Sequence, residues 1–117
     1  MRHLVMTAAA AALAATAAPV QAKDRNGYRA IASQDYVKAE RRLLAERRIY
    51  PNKPELLINL ASVYRRTGRL AEARALYAAV LERDAVTLGL PNGEDASSHE
   101  LARMGLEAVS ATNFAAR

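Results

Sequence analysis

The stretch from residue 54 to residue 85, PELLINLASVYRRTGRLAEARALYAAVLERDA, constrains the fold more than any other part of the chain. Leu56, Leu57, Leu60, Ala61, Val63 and Tyr64 recur at the spacing of one helix face, which predicts a helix over about Glu55–Arg66. Leu70, Ala73, Leu76, Tyr77, Val80 and Leu81 repeat the pattern over about Leu70–Arg83. Between them stands Thr67-Gly68, and a glycine there can take the left-handed conformation that ends one helix and reverses the chain. Ala73 offers a small side chain where two helix backbones must approach. Two antiparallel amphipathic helices that each keep an apolar face are a building block for stacking and for presenting a surface to other proteins.

The beginning of the chain has a different character. Arg2 and His3 precede an alanine-rich apolar run, Leu4 to Ala18, which Pro19 breaks before the small-residue sequence Val20-Gln21-Ala22. This is the pattern of a secretory signal peptide over residues 1–22, cleaved between Ala22 and Lys23. The rival reading is a membrane anchor, but the run is shorter and less apolar than the roughly 20 residues a spanning helix needs. The expected location is therefore the periplasm or the outside of a bacterial cell. The mature chain, residues 23–117, has room for one small domain. It holds no cysteine, so neither a disulfide nor a lipidated cysteine can staple or anchor it. The chain has 17 basic and 12 acidic residues, and only Arg2 among them leaves with the signal. The mature protein thus stays basic, but export lowers the case for nucleic acid as partner.

Around the central pair, the pattern is weaker. Tyr28, Ile31 and Ala32 suggest about two helical turns, and Asp35 has the short acceptor side chain of an N-cap. From there to about Tyr50, a helix would turn Tyr36, Val37, Ala39, Leu43, Leu44 and Ile49 inward, with Pro51 ending it and Pro54 opening the next. Beyond Asp84, Val86–Leu90 and Glu94–Ala96 flank a Pro91-Asn92-Gly93 turn signal. That segment, 86–96, reads equally as a short β-hairpin or as a plain loop, because an isolated hairpin is marginal in water. Ser97 and Glu100 have the spacing of a capping box, which opens a last helix over about 98–110, packed through Leu101, Ala102, Met104, Leu106 and Val109. Residues 111–117 are expected to be loose.

Sliding the chain by 34 residues places Tyr36 on Leu70, Ala39 on Ala73, Leu43 on Tyr77 and Ala45 on Ala79. A two-helix unit of this period resembles the tetratricopeptide repeat. Leu57, Leu60, Ala61, Tyr64, Gly68, Ala73 and Tyr77 take the places of that family's W-x-x-L-G-x-x-Y…G…A…F pattern. Leu57 replaces the usual large aromatic and Ala85 the closing proline, while Pro51 supplies that proline in the preceding unit. The resemblance implies an all-α domain of antiparallel helix pairs: a best repeat at 54–85, a partial repeat at 27–53 and a capping helix at about 98–110. About three such units are usually needed for independent stability, so the expectation is either a compact capped monomer or a homodimer through the Tyr28/Tyr36 end.

The resemblance also implies where a partner would lie. Ligands of the family occupy a groove lined by the first helix of each unit, which here gives Glu55, Ile58, Asn59, Ser62, Arg65 and Arg66. Asn59 can donate to and accept from a peptide group, and Arg65 can fork onto a carboxylate. The same positions also suit an ordinary solvated helix face. Nothing points to chemistry. Ser97-Ser98-His99-Glu100 holds the residue types of a hydrolytic triad, but neighbours on a starting helix fan apart. His99 is the mature chain's one histidine and no glycine-rich phosphate loop occurs, so neither a metal nor another cofactor is expected. The paired arginines Arg41-Arg42 and Arg47-Arg48 are expected to spread over more than one face, interrupted by Glu40 and Glu46. They read as a solvated surface, with weak contact to an anionic surface as the alternative. The function expected is that of a non-enzymatic adaptor or assembly factor binding a protein or peptide. The alternatives are a structural subunit of an oligomer without a ligand groove, and a basic protein of the envelope surface.

Overall fold

The computed structural model describes residues 27–115, without the side chains of Tyr28 and of residues 113–115. The signal segment expected at 1–22 lies outside the described residues. The elements are α1 (Tyr28–Ala32), α2 (Tyr36–Ile49), α3 (Pro54–Arg66), α4 (Leu70–Leu81), β1 (Thr87–Gly89), β2 (Asp95–Ser97) and α5 (Ser98–Ala115). The fold is the all-α arrangement of antiparallel helix pairs, with one small two-stranded sheet.

Local chemistry sets each boundary. Asp35 caps α2, its carboxylate accepting the Lys38 N–H at 3.2 Å, and Pro54 stands in the first turn of α3. Gly68, at φ +82°, reverses the chain between α3 and α4. Thirty-four residues earlier, between α1 and α2, Gln34 holds the same left-handed backbone at φ +64°. The repeat is thus written in the backbone turn as well as in the side chains, although only one of the two turns has the glycine that adopts it without strain.

The core is one continuous cluster. Leu56, Leu57, Leu60, Ala61 and Val63 of α3 meet Ala73, Leu76, Tyr77 and Val80 of α4, with Ala102 and Val109 of α5 on one side and Ala39 and Leu43 of α2 on the other. α3 is the central helix and packs against α2, α4 and α5. Gly105 allows α5 to approach α4 closely: a Cβ at that position would lie 2.2 Å from Cζ of the buried Tyr77 ring.

The segment after Asp84 forms the hairpin rather than the loop. Thr87 pairs with Ser97, Leu88 with Ala96 and Gly89 with Asp95, antiparallel. The hairpin is stabilised by its junction with α5. The fully buried Ser98 accepts the Val86 N–H on Oγ at 2.9 Å and donates its own N–H to the Val86 carbonyl at 2.8 Å. Ser98 therefore joins the hairpin to the helix, a role beyond capping, while Ser97 Oγ accepts the His99 N–H at 3.2 Å.

Several expectations are corrected. Val37, Leu44 and Ile49 follow helical spacing but are exposed, as is Met104 of α5. No element among the described residues covers that side of α2, because α1 is only five residues long. α4 ends at Leu81 rather than Arg83. α5 continues to Ala115 instead of stopping near Ser110, so the backbone from 111 to 115 is helical and not loose.

Candidate functional site

The six residues assigned to the groove lie along one stripe of α3. Glu55, Ile58, Asn59, Ser62, Arg65 and Arg66 recur at three- and four-residue steps, so they share a helix face. Leu56, Leu57, Leu60, Ala61 and Val63 occupy the opposite, buried side. Arg66 is exposed, whereas Glu55, Ile58, Asn59, Ser62 and Arg65 are half-buried, and Ile58 packs onto the core. A lone surface helix would leave such a stripe fully solvated. Here the helices on either side of α3 recess it.

The stripe already has internal partners. Arg66 Nη1 donates to the Tyr36 hydroxyl at 3.3 Å, tying α3 to α2. Glu55 and Asn59 each take part in an interaction within the fold. Arg65 differs, since its Nε is enclosed and has no hydrogen-bond partner among the described residues. Leaving a buried donor unmatched is costly, and an incoming carboxylate or carbonyl oxygen would relieve that cost. Tyr36 is half-buried, and its hydroxyl oxygen accepts from Arg66 within the chain. The Tyr28 side chain lies outside the described residues.

A second polar centre, not expected from the sequence, joins the two repeat units at the start of α4. Arg69 Nη1 donates to Glu40 Oε2 at 3.0 Å while Nη2 reaches Glu40 Oε1, making a bidentate pair. The same guanidinium donates to Thr67 Oγ1 through Nε at 3.1 Å and lies over the Tyr64 ring, 4.6 Å from its centroid. Hydrogen bonding from Arg69 holds the Glu40 carboxyl below its ordinary value, against a smaller opposing effect of burial. The partners are 29 residues apart, and neither helix period nor repeat register links positions 40 and 69. The signal available in sequence was an acidic residue interrupting the basic run of α2.

Among the described residues, the side chains that could carry chemistry stand apart. His99 Nε2 lies 2.6 Å from the Arg83 carbonyl oxygen, bridging the start of α5 to the chain just beyond α4. Ser98 is buried in the hairpin junction. Among the described residues, no three His, Cys, Asp or Glu side chains come together as metal ligands do. No helix among them is long and apolar enough to cross a membrane.

Comparison with known proteins agrees with this geometry at the level of family. The tetratricopeptide repeat family model matches residues 30–87, from α1 to the start of the hairpin. No curated protein and no solved structure matches the chain. Tetratricopeptide repeats generally mediate protein–protein interaction, and the family is typically non-enzymatic.

Proposed function

The chain is a tetratricopeptide repeat protein, and from that premise we propose that it is an exported, non-enzymatic adaptor or assembly factor that binds a peptide or protein segment along α3. The observation that carries this reading is the recessed stripe of Glu55, Ile58, Asn59, Ser62 and Arg65, with the unmatched Nε of Arg65 within it. Asn59 would exchange hydrogen bonds with the partner's backbone, Arg65 would take a carboxylate or carbonyl oxygen, and Ile58 would offer an apolar floor. The stripe spans a single helix, so the segment bound would be short and the affinity modest.

Export is part of the same proposal and is supported by the basic start, apolar run and small-residue site before Lys23. Residues 23–117 would then form one domain, delivered to the periplasm or secreted. The test is capture from a cell-envelope extract by the immobilised protein, beside the Asn59→Ala/Arg65→Ala variant. Loss of charge-assisted and amide hydrogen bonds should weaken capture of the specific partner about tenfold or more. Equal capture by both proteins would place the binding surface elsewhere.

A further inference from the structure

The outer faces of α2 and α5 match each other. On α2, Val37, Arg41, Leu44 and Arg48 follow one another by four, three and four residues, so they form one stripe, and all four are exposed. On α5, Glu100, Met104, Glu107 and Ala111 follow the same spacing and are likewise all exposed. Laid antiparallel, as neighbouring helices lie in the rest of the fold, the stripes fall into a single register. Val37 meets Ala111, Arg41 meets Glu107, Leu44 meets Met104 and Arg48 meets Glu100. Each apolar residue faces an apolar one and each arginine faces a glutamate.

Flanking positions agree with this pairing. Lys38 would stand opposite Ser110 and Arg103 opposite Ala45, so the register sets no like charges against each other. The acidic residues expected to interrupt the basic field of α2 do not do so. Glu40 is turned into its pair with Arg69, and Glu46 is half-buried. The exposed side of α2 therefore holds Lys38, Arg41, Arg42 and Arg48 with no exposed acid among them. It also holds the strongly exposed Val37, at 72%, while Met104 stands 58% exposed on α5.

We infer that α5 of one copy docks antiparallel on α2 of the next, so that the chain associates head to tail. α2 belongs to a unit whose first helix is the five residues of α1, and α5 is the last of the described elements, with Glu100, Met104, Glu107 and Ala111 left exposed by the others. Each copy offers one face of each kind. The contact is heterologous, and it closes into a ring or runs on as a filament according to the rotation between copies. One helix pair buries less than a standard protein interface, so association is weak and needs concentrated protein. The residues concerned are distinct from those of the α3 stripe, and the two proposals stand or fall separately.

The test is a charge swap on the full chain, with mass followed by sedimentation from about 10 μM to about 1 mM, the range suited to a small interface. The wild-type mass should rise with concentration and fall back as salt is added. Arg41→Glu/Arg48→Glu sets glutamate against glutamate, and Glu100→Lys/Glu107→Lys sets lysine against arginine. Each variant alone should stay monomeric with an unchanged helical circular dichroism spectrum, and an equimolar mixture of the two should associate again. Association that persists in both single variants, or a mixture that stays monomeric, would overturn the proposal. So would a wild-type chain that is monomeric throughout, including one that binds anionic vesicles through Arg41 and Arg48, which would assign the α2 face to a charged surface.

Discussion

The two helix pairs share a turn and differ in what they bury. Gln34 and Gly68 hold the same left-handed backbone 34 residues apart, so α1/α2 and α3/α4 are built on one plan. α3 and α4 bury Leu56, Leu57, Leu60, Ala61, Val63, Ala73, Leu76, Tyr77 and Val80, whereas α2 buries only Ala39 and Leu43. The cause is position in the array. α3 has helices on both sides, and α2 has α3 on one side and the short α1 on the other. In a stacked array each unit is stabilised mainly by its neighbours, so the first unit depends on the second far more than the reverse.

Paired substitutions offer the strongest challenge to that contrast. Leu60 is fully buried and Leu44 is exposed. Leu60→Ala should cost about 3 kcal/mol through lost burial and the cavity left behind, while Leu44→Ala should stay within about 0.5 kcal/mol. Urea denaturation at low protein concentration measures both. Similar losses at the two sites would mean that α2 has a covering element within the chain and that the units are equivalent.

The turns give a smaller effect with opposite signs. Gly68→Ala places a Cβ on a left-handed residue and should destabilise by about 1 kcal/mol. Gln34→Gly relieves the same strain and should stabilise, by less than about 1 kcal/mol because glycine also loosens the unfolded chain. A loss at Gln34 would show that its side chain contributes something the repeat plan does not require.

The link between the units is the smallest contribution and the one that depends on pH. The Glu40 and Arg69 side chains are 25% and 37% exposed, so solvent screens the pair and Glu40→Gln should cost only about 0.5–1 kcal/mol at neutral pH. Because Arg69 lowers the Glu40 carboxyl from its ordinary 4.5, the folded state favours the ionised form. The stabilisation is present above that ordinary value and is lost as pH falls through the lower folded one. Thermal unfolding of wild type and Glu40→Gln should therefore differ at pH 7 and converge in acid. A constant difference across that range would assign the effect to packing rather than to charge.

Legibility in the sequence followed the same contrast. In α3 and α4 the apolar positions that helical spacing selects are buried or half-buried, because each has a neighbouring helix to meet. In α2 the same spacing also selected Val37, Leu44 and Ile49, which are exposed. Periodicity identifies a face but not whether another element covers it. The stripe shared by the six α3 positions was legible, since helical spacing alone places them on one face. Its degree of burial was not, nor was the unmatched Nε of Arg65, because both depend on how neighbouring helices flank α3. The Glu40–Arg69 clamp escaped for the same reason, as did Gly105, whose need for a missing Cβ is evident only beside the Tyr77 ring.

Native-state amide hydrogen exchange tests the central claim directly, that the second unit and α5 hold the fold while the first unit depends on them. Amides of α3, α4 and the buried part of α5 should exchange only with global unfolding, and those of α1 and α2 at least about tenfold faster through partial opening. Exchange of α2 as slow as that of α3 would contradict the account.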